Sequence, residues 1–510
     1  MSDPMIGRPF AMPMMKTFIP KALQPWIYLL FAIVFQLVNT TYMGNLSQMM
    51  GAESLMREDV SFIFSCGLIG VAMPFPILFR LKFRFTNRSL LLFSVSGMII
   101  CILLSMFTQY VPLLCLLSYV CCFFKLMATF ECFSNIQLWM TPKRDFCIFF
   151  PLLYVVVLGD MSMSGWLSEK LCYYVGSYHA MQWFIIGVLM LILLFIYTCT
   201  RHFRFMRPLP FISIDWLGCV LWSALLLEVI WVFTYAEYYN WWDSMLWTSV
   251  VLCIIPTAWL AINRMTHIRH PYIAPEAFRY KTLLPILTFF AVGEWMNSTS
   301  KSLENIFTCS ILHYGMTTTS QFNIVSLLGV VTGCLFCLWF IKMMHQKYTR
   351  LLTIGFALML VYQILMYFYI SPEISVGYFY APTFLLNFGY AIFFTTLTIY
   401  LEELMPFRHF FMGLTIAGFI RNGVVGAICN ATYSYGFRYH LSDNLVSGLS
   451  LDAIQSMMVS IKQLYGVTCV IGCLFMLLLM LWHVQPVRST LRHIPYWNKL
   501  GQQMRKELQE

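Results

Sequence analysis

Residues 181–199 read Met-Gln-Trp-Phe-Ile-Ile-Gly-Val-Leu-Met-Leu-Ile-Leu-Leu-Phe-Ile-Tyr-Thr-Cys, without one charged side chain. As an α-helix, a run of this length reaches across the roughly 30 Å of hydrocarbon in a bilayer. Blocks of the same kind recur along all 510 residues, of which 60% are apolar and only 11% charged. Mean hydropathy is +0.73. A soluble domain is about 45–50% apolar and about 25% charged. The few charges here cannot coat a soluble protein of this size, so lipid is the solvent that fits. In lipid each segment must satisfy its own backbone, and helices do so. The sequence predicts an all-α integral membrane protein.

Spans are expected near 25–43, 60–80, 89–108, 112–140, 147–168, 181–199, 216–236, 245–263, 283–311, 322–343, 351–370, 378–401, 410–433 and 464–483. About fourteen spans put both ends of the chain on one side. On that count, 25 of the 32 Lys and Arg lie on the side of the ends and four on the other. Positive loops stay inside, so both termini are expected in the cytoplasm. The net charge of +10 then reflects topology and contact with anionic lipid rather than nucleic acid. Lys16 and Lys21 precede the first apolar run, which has no small-residue cleavage site after it and is expected to remain as a span.

Loops rich in charge and proline divide the chain. The expected parts are a cytoplasmic segment 1–24, a six-helix bundle 25–199, a linker with a two-helix hairpin 200–282, a second six-helix bundle 283–483, and an amphipathic tail 484–510 on the inner surface. The outer stretch 434–463 is read as a loop able to hold a small amphipathic helix. Six, two and six spans suggest a transporter built from two repeated halves. The 17 cysteines sit mostly in apolar blocks, where they act as small hydrophobes, so neither a disulfide framework nor a metal site is expected. No phosphate-binding GxxxxGK[ST] loop occurs, which argues against an ATP-driven machine. No enzyme motif or cofactor site is evident.

Charges inside spans carry the functional reading. Each costs about 2.5–3.5 kcal/mol on insertion scales and usually faces a cavity or a partner. The ninth span holds Glu294, Asn297, Lys301, Glu304 and Asn305, which on a regular α-helix occupy an arc of about 100°. Glu294 is a candidate for proton exchange or cation binding. Lys301 and Glu304, three apart, can pair. Asp160, on the fifth span beside Gly159, Ser162 and Gly165, is the second proton candidate. Lys125 and Glu131 share the fourth span, on faces about 120° apart. Arg421 lies on the thirteenth. Together with Asn297, these charges are candidates for setting cavity charge and gating. Glu228, alone on the seventh span, is read as structural. Tyr154, Trp166, Trp295 and Tyr390 are aromatics able to line a pocket.

Several stretches carry a family likeness in the right order. Ile214-Asp215-Trp216-Leu217-Gly218 looks like a "DWxG" entry to an extra hairpin. His270 to Arg279 is similar to a "P-hydrophobic-x-LF-R" segment, and Ile420-Arg421-Asn422-Gly423 looks like "RQxGG". Leu158-Gly159-Asp160 through Trp166-Leu167 sits where "LGPxxGGWL" belongs, and Lys125 stands near the basic residue of "RxxQG". The chain resembles the fourteen-span drug:proton antiporter branch of the major facilitator superfamily. It departs from the pattern too. The loop from Phe79 to Arg88 keeps the basic residues of "GxLADRxGRR" but not its acid or glycines. The first span, with Gln36 and Asn39, lacks the usual acid. Asp160 replaces the motif proline.

The resemblance implies a secondary transporter of the inner (plasma) membrane that exports amphipathic small molecules in exchange for protons. It also implies partnership with a periplasmic adaptor and an outer-membrane channel. The alternatives are a transporter of the same fold that takes up or exports a specific anionic metabolite, anchored by Arg421 and Lys301, and a membrane sensor or scaffold that transports nothing.

Overall fold

The computed structural model of the chain describes residues 15–16, 18–140, 146–202, 214–268, 270–280, 283–344, 348–405, 407–446 and 453–481. The expected tail 484–510 lies outside them. Among the described residues every regular element is a helix, and the only β contact is an isolated bridge between Met15 and Thr200.

The first half of the chain folds as α1 (Gln24–Leu37), α2 (Leu46–Glu53), α3 (Arg57–Ala72), α4 (Leu78–Arg84), α5 (Asn87–Met106), α6 (Val111–Met140), α7 (Phe146–Val175) and α8 (Ala180–Cys199). Then comes a hairpin, α9 (Trp216–Thr234) and α10 (Met245–His267). The second half comprises α11 (Leu283–Thr299), α12 (Met316–Met344), α13 (Tyr348–Tyr369), α14 (Gly377–Leu404), α15 (Phe407–Phe419), α16 (Val425–Val446) and α17 (Ala453–Leu481). Among the described residues ten helices are long and apolar enough to cross a membrane, and the chain is a multi-pass membrane protein.

The remaining four expected spans fall on helices that are short or interrupted. α1 stops at Leu37, before the expected end at residue 43. There the Tyr42 hydroxyl donates to the Leu37 carbonyl (2.9 Å) and accepts from the Asn39 amide (3.2 Å). This satisfies the polar backbone that the break exposes. α11 continues as π-helix over Ser300–Glu304 and Ile306–Ile311, and α15 joins α16 through a π-turn at Ile420–Val424. The outer stretch expected as a loop over 434–463 is instead helix at both ends. α16 runs on to Val446 and α17 begins at Ala453, each helix extending past the bilayer because its partner extends beside it.

Packing separates two groups of helices. α6 gathers α1, α3 and α5, while α14 gathers α11, α12 and α13, with α17 against α13 and α16. The apolar window of α14 is 78% buried and that of α10 only 11%. α14 is therefore a core helix, and α10 turns its apolar surface to lipid. The halves meet along α7, which packs against both α12 and α14, and along α3, which touches the π-turn before α16. α9 lies in that second seam, against both α3 and α16.

Glycines set the closest approaches. A Cβ on Gly70 of α3 would lie 2.3 Å from the backbone carbonyl oxygen of Tyr119 on α6. Gly389 of α14 and Gly355 of α13 oppose each other in the same way, with a Cβ on Gly389 falling 2.6 Å from the Gly355 carbonyl oxygen. Gly70→Val should destabilise the folded chain by about 1–3 kcal/mol, the cost of overpacking against backbone that cannot yield. Thermal melting of the purified protein in detergent reads this.

One of the charges singled out in the sequence, Glu131, proves to belong to the architecture of the first half. Lys82, expected in a cytoplasmic loop, is buried on α4 and forms an ion pair with Glu131 of α6 (3.3 Å), while also donating to the Ser134 hydroxyl. Glu131 therefore does not line the space around Glu294. Arg88 ties α5 to α8 by donating to the Tyr197 carbonyl (2.7 Å) and lying over the Tyr197 ring. Removing one member of a buried pair strands the other charge, at a cost of about 3–5 kcal/mol, whereas an apolar replacement of both is tolerated. Lys82→Met alone should lower the melting temperature sharply, and Lys82→Met with Glu131→Leu should recover most of the loss. Equal melting of the single and double variants would contradict the pairing.

Candidate functional site

Near the contact between the halves, polar and charged side chains cluster on α11, α14 and the π-turn. Glu294 is buried on α11. Its Oε1 accepts a hydrogen bond from the Tyr390 hydroxyl of α14 and lies 3.6 Å from Nε of Arg421. Arg421 Nε also donates to the Tyr390 oxygen (3.2 Å), and its guanidinium lies 4.3 Å from the centre of the Phe394 ring. Carboxylate, phenol and guanidinium thus form one unit on an aromatic floor. Such a contact is worth more where the cation is shielded from water.

The far edge of Arg421 points out of this half. Its Nη2 lies 3.6 Å from the Met161 sulfur of α7, in the other half. Met161 is 45% exposed, so open space reaches this point. Lys301 is exposed as well, although Ser302, Leu303 and Glu304 after it are buried. Lys301 lies seven residues, about two turns, beyond Glu294 on the same helix, and Glu294 and Arg421 are both within its electrostatic reach.

The Lys301–Glu304 pair that helical spacing allows is not formed. Glu304 turns to α13 and α14, where it accepts from the Tyr362 hydroxyl (2.6 Å) and the Thr383 hydroxyl (3.4 Å). The reason is the π-helix at Ser300–Glu304. A π-turn closes i→i+5 bonds, so each residue advances through a smaller angle than in an α-helix, and positions three apart no longer share a face. Asn297 is buried on α11. Ser302 donates to the Asn430 side chain of α16 (2.6 Å), fixing the π segment in place.

Asp160 lies apart from Glu294. Gly159 faces Leu327 of α12, and one residue on, Asp160 turns back into the first half, within the field of Lys125. Lys125 does not ion-pair with it. The ammonium donates to the carbonyls of Gln36 and Val38 (3.1 Å to the latter), capping the broken end of α1, where the helix dipole places negative charge. Asp160 Oδ1 is buried without a hydrogen-bond partner. Near the other end of the α7–α12 contact, Asn323 donates to Glu169 (3.3 Å). Glu228 accepts from Thr257 (3.1 Å) across the hairpin.

At the end of the molecule where α7 and α15 begin, aromatic rings close the seam. Phe79 and Phe411 meet edge to face at 4.6 Å, Phe150 and Phe410 lie 5.8 Å apart, and Tyr154 packs on Phe394 at 5.0 Å. The Tyr154 hydroxyl donates to Thr398 (3.1 Å). Of these residues, Phe394 and the Glu304 partners Tyr362 and Thr383 were not singled out in the sequence. One aromatic or hydroxyl side chain among so many in apolar spans carries no distinguishing signal. Among the described residues no group of three or more His, Cys, Asp or Glu is placed to hold a metal.

No family model and no curated protein matches the sequence. Solved structures do match in shape. The human organic anion transporter MFSD10 (TETRAN) aligns over 89% of this chain and 100% of its own at a TM-score of 0.54 and 10% identity. The POT family transporter PepTSo aligns over 91% and 99% at 0.55 and 15% identity. A mutant of the nucleoside transporter NupG aligns over 90% and 98% at 0.51 and 10% identity. At such identities the likeness is one of fold alone.

Proposed function

We propose that this chain is a secondary active transporter that moves a small molecule across the membrane by alternating access, with protons as the coupling ion. The observation that carries the reading is the Glu294–Tyr390–Arg421 unit. It couples a titratable acid to a cation whose free edge reaches the opposite half. A rocking motion of the halves would change what Arg421 touches, and with it the charge that Glu294 must balance. Asp160, whose Oδ1 has no partner, is the second proton-carrying candidate. The aromatic closure at one end and the exposure of Lys301 and Met161 above it fit a conformation closed toward the cytoplasm. Export of amphipathic compounds is the direction that the sequence resemblance favours.

In vesicles containing the purified protein, collapsing the proton gradient should abolish accumulation of a transported compound. An unchanged rate would remove proton coupling. Glu294→Gln should slow gradient-driven accumulation by about two orders of magnitude, the scale of the roughly 3 kcal/mol lost when a buried Arg loses its counter-ion. Glu228→Gln, on the hairpin, should leave the rate unchanged. A deletion strain tested against dyes, detergents, bile salts and antibiotics reads direction directly, because loss of an exporter gives hypersensitivity.

The fourteen-span, six-two-six arrangement with cytoplasmic termini belongs to the same proposal. It is supported by helices at all fourteen expected positions and by the charge asymmetry of the loops. Reporters inserted at 107–110 and 370–376 should read outside, and reporters at 203–213 and 345–347 inside. A reversal at any one of them would break the count.

A further inference from the structure

The charges around the seam do not cancel. Arg421 shares Glu294 with Tyr390, so one carboxylate is already committed to one guanidinium. Lys301 adds a second cation. It makes no hydrogen bond or ion pair with any described residue, is exposed, and lies within the electrostatic reach of both Glu294 and Arg421. Among the described residues the outer edge of Arg421 has as its partner only the Met161 thioether, a weak acceptor. Two cations and one acid leave a surplus of one positive charge at a place where charges are normally paired.

We propose that the space bounded by Lys301 and the outer edge of Arg421 binds the anionic group of an amphipathic organic acid, a carboxylate or sulfonate. The inference rests on the transport reading and names the substrate class of that site. Arg421 presents a planar edge suited to two oxygens, and Lys301 presents a point charge. Met161, across from the guanidinium and exposed, gives the acid's apolar body a soft wall to lie against. A cationic amphiphile meets the surplus positive charge and is repelled. The acid of Glu294 does not attract it, because that carboxylate is already engaged. Lys301 carries the specificity, and Arg421 serves both the site and the Glu294 unit.

The test uses the full chain in lipid nanodiscs, with no ion gradient, so that it reads binding whether or not transport is proton-driven. Calorimetric titration compares 2-naphthoate, 2-naphthol and 2-naphthylmethylamine, which share one ring system and differ in charge, in buffers with and without chloride. The acid should bind at least about tenfold more tightly than the alcohol or the amine, the scale of one charge-assisted hydrogen bond. Lys301→Gln should remove that preference and Lys301→Arg should keep it. Lys301 makes no hydrogen bond or ion pair with any described residue, so both variants should melt close to the parent. No preference for the acid, or a preference that survives in Lys301→Gln, overturns the proposal. So does saturation by chloride alone, which would mark a site for inorganic anions.

Discussion

Everything in the second half is arranged around keeping one guanidinium charged inside a membrane domain. Arg421 meets the three requirements of a buried cation at once. Glu294 supplies opposite charge, Tyr390 takes a hydrogen bond, and Phe394 supplies a polarisable face. The first half solves the same problem in two other ways. Lys82 is neutralised by Glu131. Lys125 uses no acid and rests on carbonyls that exist only because α1 ends early. Unpaired, each of these ions would cost several kcal/mol, so each partner is as necessary as the cation it serves.

The helices were legible because span length and polarity follow directly from bilayer thickness. The charges that matter could be read for the same reason, since any ion in hydrocarbon stands out. Their partners were not legible. A helical wheel assigns one angle per residue, and the π segments at Ser300–Glu304 and Ile420–Val424 break that rule where Lys301 and Arg421 sit. Glu304 therefore turned to Tyr362 and Thr383 instead of Lys301. Lys82 lies four residues past the start of a short helix, close enough to an apparent loop that charge alone placed it outside. The stretch 434–463 contains polar residues and reads as a loop, yet helices protruding from the bilayer can carry such residues without penalty.

The hairpin gives the Asp215-Trp216-Leu217-Gly218 stretch its meaning. Asp215 caps α9 by accepting from the Gly218 amide (2.9 Å), pairs with Arg264 at the end of α10 (2.8 Å), and accepts from the Tyr272 amide (3.2 Å). A side chain on Gly218 would collide with the Asp215 carboxylate at 2.1 Å, so the acid and the glycine require each other. From this corner the connection reaches both halves. Tyr272 donates to the Met73 carbonyl (2.6 Å), and Glu276 lies 3.4 Å from His409. At the other end of α9, Tyr235 bonds to Asp59 of α3 and Glu237 pairs with Arg438 of α16. The hairpin is thus tied to each half at each end and covers the seam between α3 and α16 from the lipid.

The π-turn at Ile420–Val424 holds one residue more than a regular helix would use over the same rise. Deleting a single residue there would let the turn tighten into an ordinary one. Everything beyond it would then keep its orientation, with Asn430 still on Ser302 and Arg438 still on Glu237, while the widened turn that presents Arg421 would be gone. The turn is therefore a local device, one whose loss removes the site and leaves the packing of the helices around it in place. Among distant descendants of this gene, a gap in that stretch would mark the loss of the Arg421 site more surely than any altered letter.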